Sequence, residues 1–415
     1  MPRFNPWRGV RGLPASVWII AATSFVNRAG TMVLPFMVLY VTKQLGVAVA
    51  IAGLSLTVYG IGGIVSAPVM GRLCDRLGPV AILRITLLGS GLMLFAFPFV
   101  TTFRTVLWLT FAWAFVIEGV RPATMAAVTS AVGAEQRKAA VALNRLAVNL
   151  GMSIGPALGG VLAAHSFKLL FVVDGATCLA AGMVLTALLV WRGESHRLSA
   201  TPQVAPAGGH AARGAWQAML HDRGALAFFG AMLLTSMVFL QGEGAMPVYL
   251  VSDLHFSASF YGLLFMVNTL MIVAIEVPLN GMMHRWPHWR AMVLGALLFA
   301  VGFGALGVVH TAAGVIATTV VWTFGEMVLF PASGAHAADI APPGRTGEYM
   351  GMYSMTFSLA MVFGPLSGTA LLDRFGASTT WAVAFAVGLL AAGAVSLIPR
   401  LGTPVVSGVH DIVNI

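Results

Sequence analysis

Charged side chains are what this sequence has least of. Asp, Glu, Lys and Arg together make up 9% of its 415 residues, against about 25% in a soluble globular domain. So few charges cannot clothe a surface that faces water, so the outside of the protein must face something apolar. Cysteine is nearly missing as well. Cys74 and Cys178 are the two; that excludes a disulfide scaffold and leaves both for packing. The ten histidines are scattered, with no HExxH and no paired-His spacing, so no metal site and no cofactor are expected. Also absent are the short alternating segments, about ten residues each, that mark a membrane β-barrel.

What the sequence does have is long apolar runs. Hydrophobic residues account for 58% of the chain, in stretches of about 20, the length of a helix that crosses a bilayer core. Lipid offers an open backbone no hydrogen-bond partner, so each stretch is predicted to be helical. Twelve spans are predicted, at 15–42, 50–71, 79–100, 104–130, 138–164, 168–191, 224–250, 258–282, 290–309, 312–336, 346–371 and 377–398. The first, preceded by Arg3, Arg8 and Arg11, is too long for a signal-peptide core and lacks a cleavage site, so it reads as a span. The longest polar interval, 192–222, contains Thr201, Pro202, Pro206, Gly208 and Gly209 and reads as a flexible cytoplasmic linker.

The net charge of +9 would suggest nucleic acid in a soluble chain; here its distribution is topological, and no nucleic-acid partner is expected. With the N-terminus in the cytoplasm, fifteen of the 23 Lys and Arg residues fall on the cytoplasmic side. Lys43, Arg104, Lys168 and Arg374 fall opposite, and Arg28, Arg84, Arg121 and Arg145 lie within spans. That asymmetry supports an even number of spans and both termini inside.

The chain also repeats itself. Pro68-Val-Met-Gly71 returns as Pro278-Leu-Asn-Gly281, Glu118 with Pro122-Ala123 as Glu326 with Pro331-Ala332, and Asn149-Leu-Gly-Met-Ser-Ile-Gly155-Pro156 as Ser358-Leu-Ala-Met-Val-Phe-Gly364-Pro365. The three share nearly one offset. The predicted architecture is therefore an all-α membrane protein of twelve transmembrane helices in two pseudo-symmetric six-helix bundles, 1–191 and 223–415, joined by the linker. Such repeats place substrate between the halves, near the bilayer midplane.

After span 2 the chain reads Gly71-Arg72-Leu73-Cys74-Asp75-Arg76-Leu77-Gly78. This resembles the G-x-L-x-D-R-x-G signature of major facilitator transporters, although Pro79 and Val80 replace the basic residues that usually follow. The resemblance implies the major facilitator fold across the whole chain and a gating role for Gly71, Arg72, Asp75, Arg76 and Gly78, with Asp75 helping to hold the cytoplasmic side closed against a neighbouring helix end. In span 5, Gly151, Gly155, Pro156, Gly159 and Gly160 resemble the GPxxGG motif of drug–proton antiporters. Glycines at i, i+4 and i+8 lie on one helix face and admit a close neighbour. The helix-4 pattern R-x-x-Q-G of those exchangers is not kept: Phe115 stands where its arginine would be, and Arg121 follows Glu118 by one turn instead.

In this fold helices 1, 4, 7 and 10 line the central cavity, and each carries a charge here: Arg28, Glu118 with Arg121, Glu243 and Glu326. Ionisable groups at that depth are costly and mark function. Desolvation disfavours the charged form of a carboxyl, which suits Glu326 first and Glu118 second to load and release a proton. Arg145 and Asn149, at i, i+4 in span 5, read as cavity rim or gate. Asp174 and Asp253 fall near the outer ends of their spans and read as solvated. The resemblance implies a proton-coupled exporter of an amphipathic or lipophilic organic compound, monomeric, in a bacterial inner membrane, with protons, a small organic substrate and membrane lipids as partners. The alternatives are a symporter of a small metabolite or peptide and a non-transporting membrane sensor. For the symporter, Phe25-Val26-Asn27-Arg28-Ala29-Gly30 is distantly similar to the E-R-F-x-Y-Y-G pattern of peptide transporters, without its acid and tyrosines; for the sensor, the sequence has no large polar domain. The charge asymmetry predicts that green fluorescent protein fused after Ile415 fluoresces in cells, and that alkaline phosphatase fused after Thr102 is active. Inactive phosphatase there refutes the orientation.

Overall fold

The computed structural model describes residues 12–191 and 222–401, apart from 284, 343 and 344. The predicted linker, save Asp222, and both termini lie outside the described residues. Among those described there is no strand. Long apolar helices run through α1 (Ala15–Leu45), α2 (Val49–Leu77), α3 (Pro79–Phe99), α4 (Phe103–Ser130), α5 (Ala139–His165), α6 (Phe167–Leu189), α7 (Arg223–Asp253), α8 (Ala258–Met282), α9 (His288–Gly307) and α10 (Ala312–Asp339). The last stretch, Glu348–Arg400, is twice the length of a span. It turns at Gly376, whose φ of 77° and ψ of 175° are not helical, giving α11 (348–375) and α12 (377–400). Twelve passes result. Gly78 makes a similar one-residue joint between α2 and α3, with φ 82° and Pro79 opening the next helix. Both positions need glycine because a Cβ disfavours positive φ.

The outside of these helices is apolar. Leu92, Phe99, Trp108, Val277 and Leu390 are each at least 65% exposed, far more apolar surface than a water-facing monomer shows. It is the surface of a protein solvated by acyl chains.

Apart from a one-residue interruption of α2 at Gly53, three spans are broken beside a proline. α1 is helical over Ala15–Gly30 and again over Val33–Leu45. α4 is helical over Phe103–Ile117 and Val120–Ser130. α7 changes after Phe239 into a 3₁₀ turn, Leu240–Gly242, then a short helix, Ala245–Val248, and a π-turn, Tyr249–Asp253. Each break falls four residues before a proline: Thr31 before Pro35, Glu118 before Pro122 and Glu243 before Pro247. Proline has no N–H for the carbonyl at i−4 and its ring clashes with it.

The described residues form two compact units. The first comprises those within Met1–Val204, Gly242–Val273 and Pro365–Asp373. In it the first segment of α1 packs against α5 and α6, and α3 against α6. Val17, Ile20, Leu83, Leu87, Leu185 and Leu189 fill its core. Glycines set the spacing. A Cβ on Gly155 would stand 2.7 Å from the Thr31 carbonyl oxygen and 2.8 Å from that of Arg28, and one on Gly151 would stand 2.6 Å from Arg28 Cβ. Against α8, a Cβ on Gly160 would stand 2.6 Å from the Ala258 carbonyl oxygen, and one on Gly262 would stand 2.5 Å from that of Pro156. The Tyr261 hydroxyl lies 2.7 Å from the Gly242 carbonyl oxygen and 3.1 Å from that of Pro35, donating to one at a time. The second unit takes the described residues of Ala205–Gln241, Ala274–Gly364 and Arg374–Ile415. There α9 and α10 are the most closely packed pair, around Phe239, Phe299, Phe303, Trp322 and Phe330. His288 Nε2 lies 3.1 Å from Asp339 Oδ2 and ties the start of α9 to the end of α10.

These approaches predict that Gly155→Ala destabilises the protein by about 1–3 kcal/mol, because its methyl meets backbone that cannot move aside. Gly71→Ala is expected to be neutral, since nothing lies within 4 Å of its Cβ position. Thermal unfolding of the purified variants in detergent checks the pair.

Candidate functional site

The break in α1 leaves the amides that open its second segment without helical acceptors. Asp174 of α6 supplies one: its Oδ2 accepts from the Met32 and Val33 amides, each at 3.2 Å. The position read from sequence as near-surface and solvated is thus corrected. Asp174 is 3% exposed, because the break in α1 reaches its depth and takes up the carboxylate. Cys178, one turn on, donates its thiol toward Asp174 Oδ1 at 3.7 Å and accepts from Asn27 Nδ2 at 3.3 Å. Thr177 fills the space beside Gly30 where a side chain would otherwise stand. On the opposite flank the Gly151 and Gly155 face of α5 presses on the same turn. Arg28, two residues before Gly30, is held at this clamped joint.

The α4 break carries the second group. Glu118 Oε1 accepts from the Tyr59 hydroxyl at 2.7 Å, and its Oε2 lies 3.8 Å from Arg121 Nε. The Glu118 side chain is 24% exposed and that of Arg121 61%. Tyr59 stacks edge-on against Trp113, whose indole N–H donates to Ser90 Oγ at 2.8 Å. Arg28 lies within electrostatic reach of Arg121 and Glu118. Together α1, the second segment of α4 and α5 enclose a cavity of about 400 Å³ on the first unit, lined by both Arg28 and Arg121.

Glu243 sits at the α7 break, within electrostatic reach of Arg121. One of its carboxyl oxygens, Oε2, is buried with no hydrogen-bond partner among the described residues. The first unit therefore brings Arg28, Glu118, Arg121 and Glu243 into one neighbourhood. Glu326 is half-buried on the unbroken α10, in the second unit. The cavity takes Asn144, Val148 and Met152 from α5; Arg145 and Asn149, one residue further round the helix, are exposed and half-buried respectively.

The Gly71–Gly78 motif is about the last two turns of α2, ending at the Gly78 joint. Asp75, Arg72 and Arg76 are exposed. Sequence reasoning missed Asp174, Tyr59, Thr124 and Asn144. Of the signals for them, the proline four residues beyond each break was present in the chain.

Twelve apolar passes, broken helices and charges gathered at the breaks define a polytopic membrane transporter. The family model for the Major Facilitator Superfamily matches residues 17–243 and 243–408, and the chain belongs to that superfamily. It is 23% identical over 378 residues to the MFS-type transporter YqjV of Bacillus subtilis, covering 89% of each chain. It is 24% identical over 373 residues to a Na(+), Li(+), K(+)/H(+) antiporter of Planococcus maritimus, covering 83% of this chain and 86% of the relative. A peptide transporter crystallised with alafosfalin superposes with a TM-score of 0.75 over 96% of this chain and 97% of its own, at 16% identity, a likeness of fold.

The clamp predicts that Asp174→Ala, which strands the Met32 and Val33 amides, costs about 1–3 kcal/mol. Asp174→Asn, which keeps an acceptor, is expected to lose less than half as much. Thermal unfolding of the two variants side by side measures the difference.

Proposed function

We propose that the chain is a proton-coupled secondary transporter that exports an amphipathic or lipophilic organic compound by alternating access. The observation that carries this reading is the placement of Arg121. It bridges to Glu118 at the α4 break, has Glu243 within electrostatic reach and lines the cavity. One guanidinium between two carboxylates and a cavity is an element with two positions. A proton arriving on Glu118 removes the charge that holds Arg121, and the guanidinium is then free for Glu243 or for substrate. Glu326, the repeat counterpart of Glu118, serves as the proton group of the second unit. The Planococcus maritimus relative, named for cation–proton antiport, and the GPxxGG resemblance support exchange against protons. The charge asymmetry supports an inner-membrane location with both termini inside, and the protein acts as a monomer.

In proteoliposomes with an imposed pH gradient, a panel of amphipathic organic acids, amines and neutral dyes is expected to show flux opposite to the proton gradient. Glu118→Gln, Glu243→Gln and Glu326→Gln are expected to lower the driven flux by about tenfold or more, while substrate exchange without a gradient persists. Full driven flux in all three refutes the proton assignment. Flux in the same direction as protons shows the symporter instead.

A further inference from the structure

We propose that the cavity of the first unit is built to take an oxyanion headgroup carried on an apolar body, which makes the substrate an amphipathic organic anion. The proposal rests on the transporter reading for the word substrate, but its test does not depend on transport.

Arg28 and Arg121 supply two guanidiniums, and no carboxylate stands on the wall among the described residues. Glu118 is on the same helix as Arg121 but is not a lining residue: its two oxygens are taken by the Tyr59 hydroxyl and by Arg121 Nε. That bridge uses one edge of Arg121, and 61% of its side chain stays exposed. Arg28 has no hydrogen bond or ion pair recorded among the described residues. Glu118 and Asp174 lie only within electrostatic reach of it; a guanidinium inside a membrane with no direct partner is costly, and a ligand that pairs with it relieves that cost. The planar fork of arginine suits two oxygens of one carboxylate or phosphoryl group.

Two neutral donors stand on the same wall. Thr124 is 7% exposed, lines the cavity, and its buried Oγ1 has no partner among the described residues. Asn144 accepts from the Ser24 hydroxyl at 2.8 Å through Oδ1, which leaves its amide N–H groups to donate. A buried hydroxyl left unpaired costs free energy, and an oxyanion that draws Thr124 toward the cavity relieves that cost. The rest of the wall is apolar: Val120, Met125, Val148 and Met152. A cavity of about 400 Å³ lies in the range that holds a small organic molecule. A cationic ligand would meet two guanidiniums and no acid.

The same chemistry is carried by a free organic acid and by the phosphate of an anionic lipid, and the test separates them. The full-length protein in phosphatidylcholine nanodiscs is titrated with 2-naphthoate, 2-naphthamide and trimethyl(2-naphthyl)ammonium, which share one apolar body. Naphthoate is expected to bind about tenfold or more tightly than the amide, and the ammonium not to compete. Arg28→Gln is expected to erase that preference and Arg28→Lys to keep part of it, while Thr124→Val weakens naphthoate several-fold. If phosphatidylglycerol in the nanodisc displaces naphthoate from the wild type, the oxyanion is a lipid headgroup; if it does not, the site takes a free acid. The proposal is overturned if naphthoate does not bind at millimolar concentration or if the amide or ammonium binds as tightly. It is equally overturned if Arg28→Gln, with an unchanged melting temperature, keeps the preference. Naphthoate bound but never moved by a pH gradient removes the transport reading and leaves this one; ammonium moved without naphthoate binding does the reverse.

Discussion

One carboxylate holds two backbone amides at a point where a membrane helix has lost its own hydrogen bonds. Asp174 on Met32 and Val33 is the contact on which the described site depends. In lipid a freed amide has no water to turn to, so the break forced by Pro35 is sustainable only with an acceptor at that depth. Once it is sustained, Gly30 can lie against Thr177 and the α5 glycines can close on the Arg28 turn. The depth and direction of Arg28 then follow from backbone packing and not from its own long side chain.

The other breaks obey the same logic. Glu118 and Glu243 each occupy the residue whose carbonyl a proline leaves unpaired. Irregular backbone at membrane depth is tolerated where it lines a cavity or is buried in protein. Charge and irregularity therefore fall together: the cost of each is lowered by the polar surroundings the other needs. α10 shows the contrast. It carries Glu326 and Pro331 yet runs as one helix, so a proline is not sufficient for a break.

The twelve passes were legible in the sequence because about 20 apolar residues and a bilayer match one another, and because Gly78 and Gly376 punctuate runs that are otherwise continuous. The charges of α1, α4 and α7 were legible because ionisable residues are so rare among such runs. The breaks were not, although Pro35, Pro122 and Pro247 mark them, since Pro68, Pro156, Pro278 and Pro365 sit inside unbroken helices. Asp174 was misread because it lies about 10 Å into its span by helical rise. Position along one helix gives depth and says nothing of what a neighbour brings to it. Asn144 was passed over for Arg145 for a similar reason: one residue turns a helix by about 100°, and only the packed structure shows which face looks into the cavity.

Arg28 and Arg121 also have a consequence that concerns electricity. A fixed positive charge within a membrane sits partway down the voltage across it, and that voltage is worth about 2.3 kcal/mol per elementary charge per 100 mV. If access to the cavity alternates between compartments as proposed, the share of the drop felt at each guanidinium changes even when neither side chain moves. A bound anion cancels part of that charge, so the loaded and empty cycles differ in their dependence on voltage. On the proposed reading, with the cell interior negative, an anion leaving and a proton entering would carry current in the same favourable sense, and the energised membrane would bias the direction of the cycle.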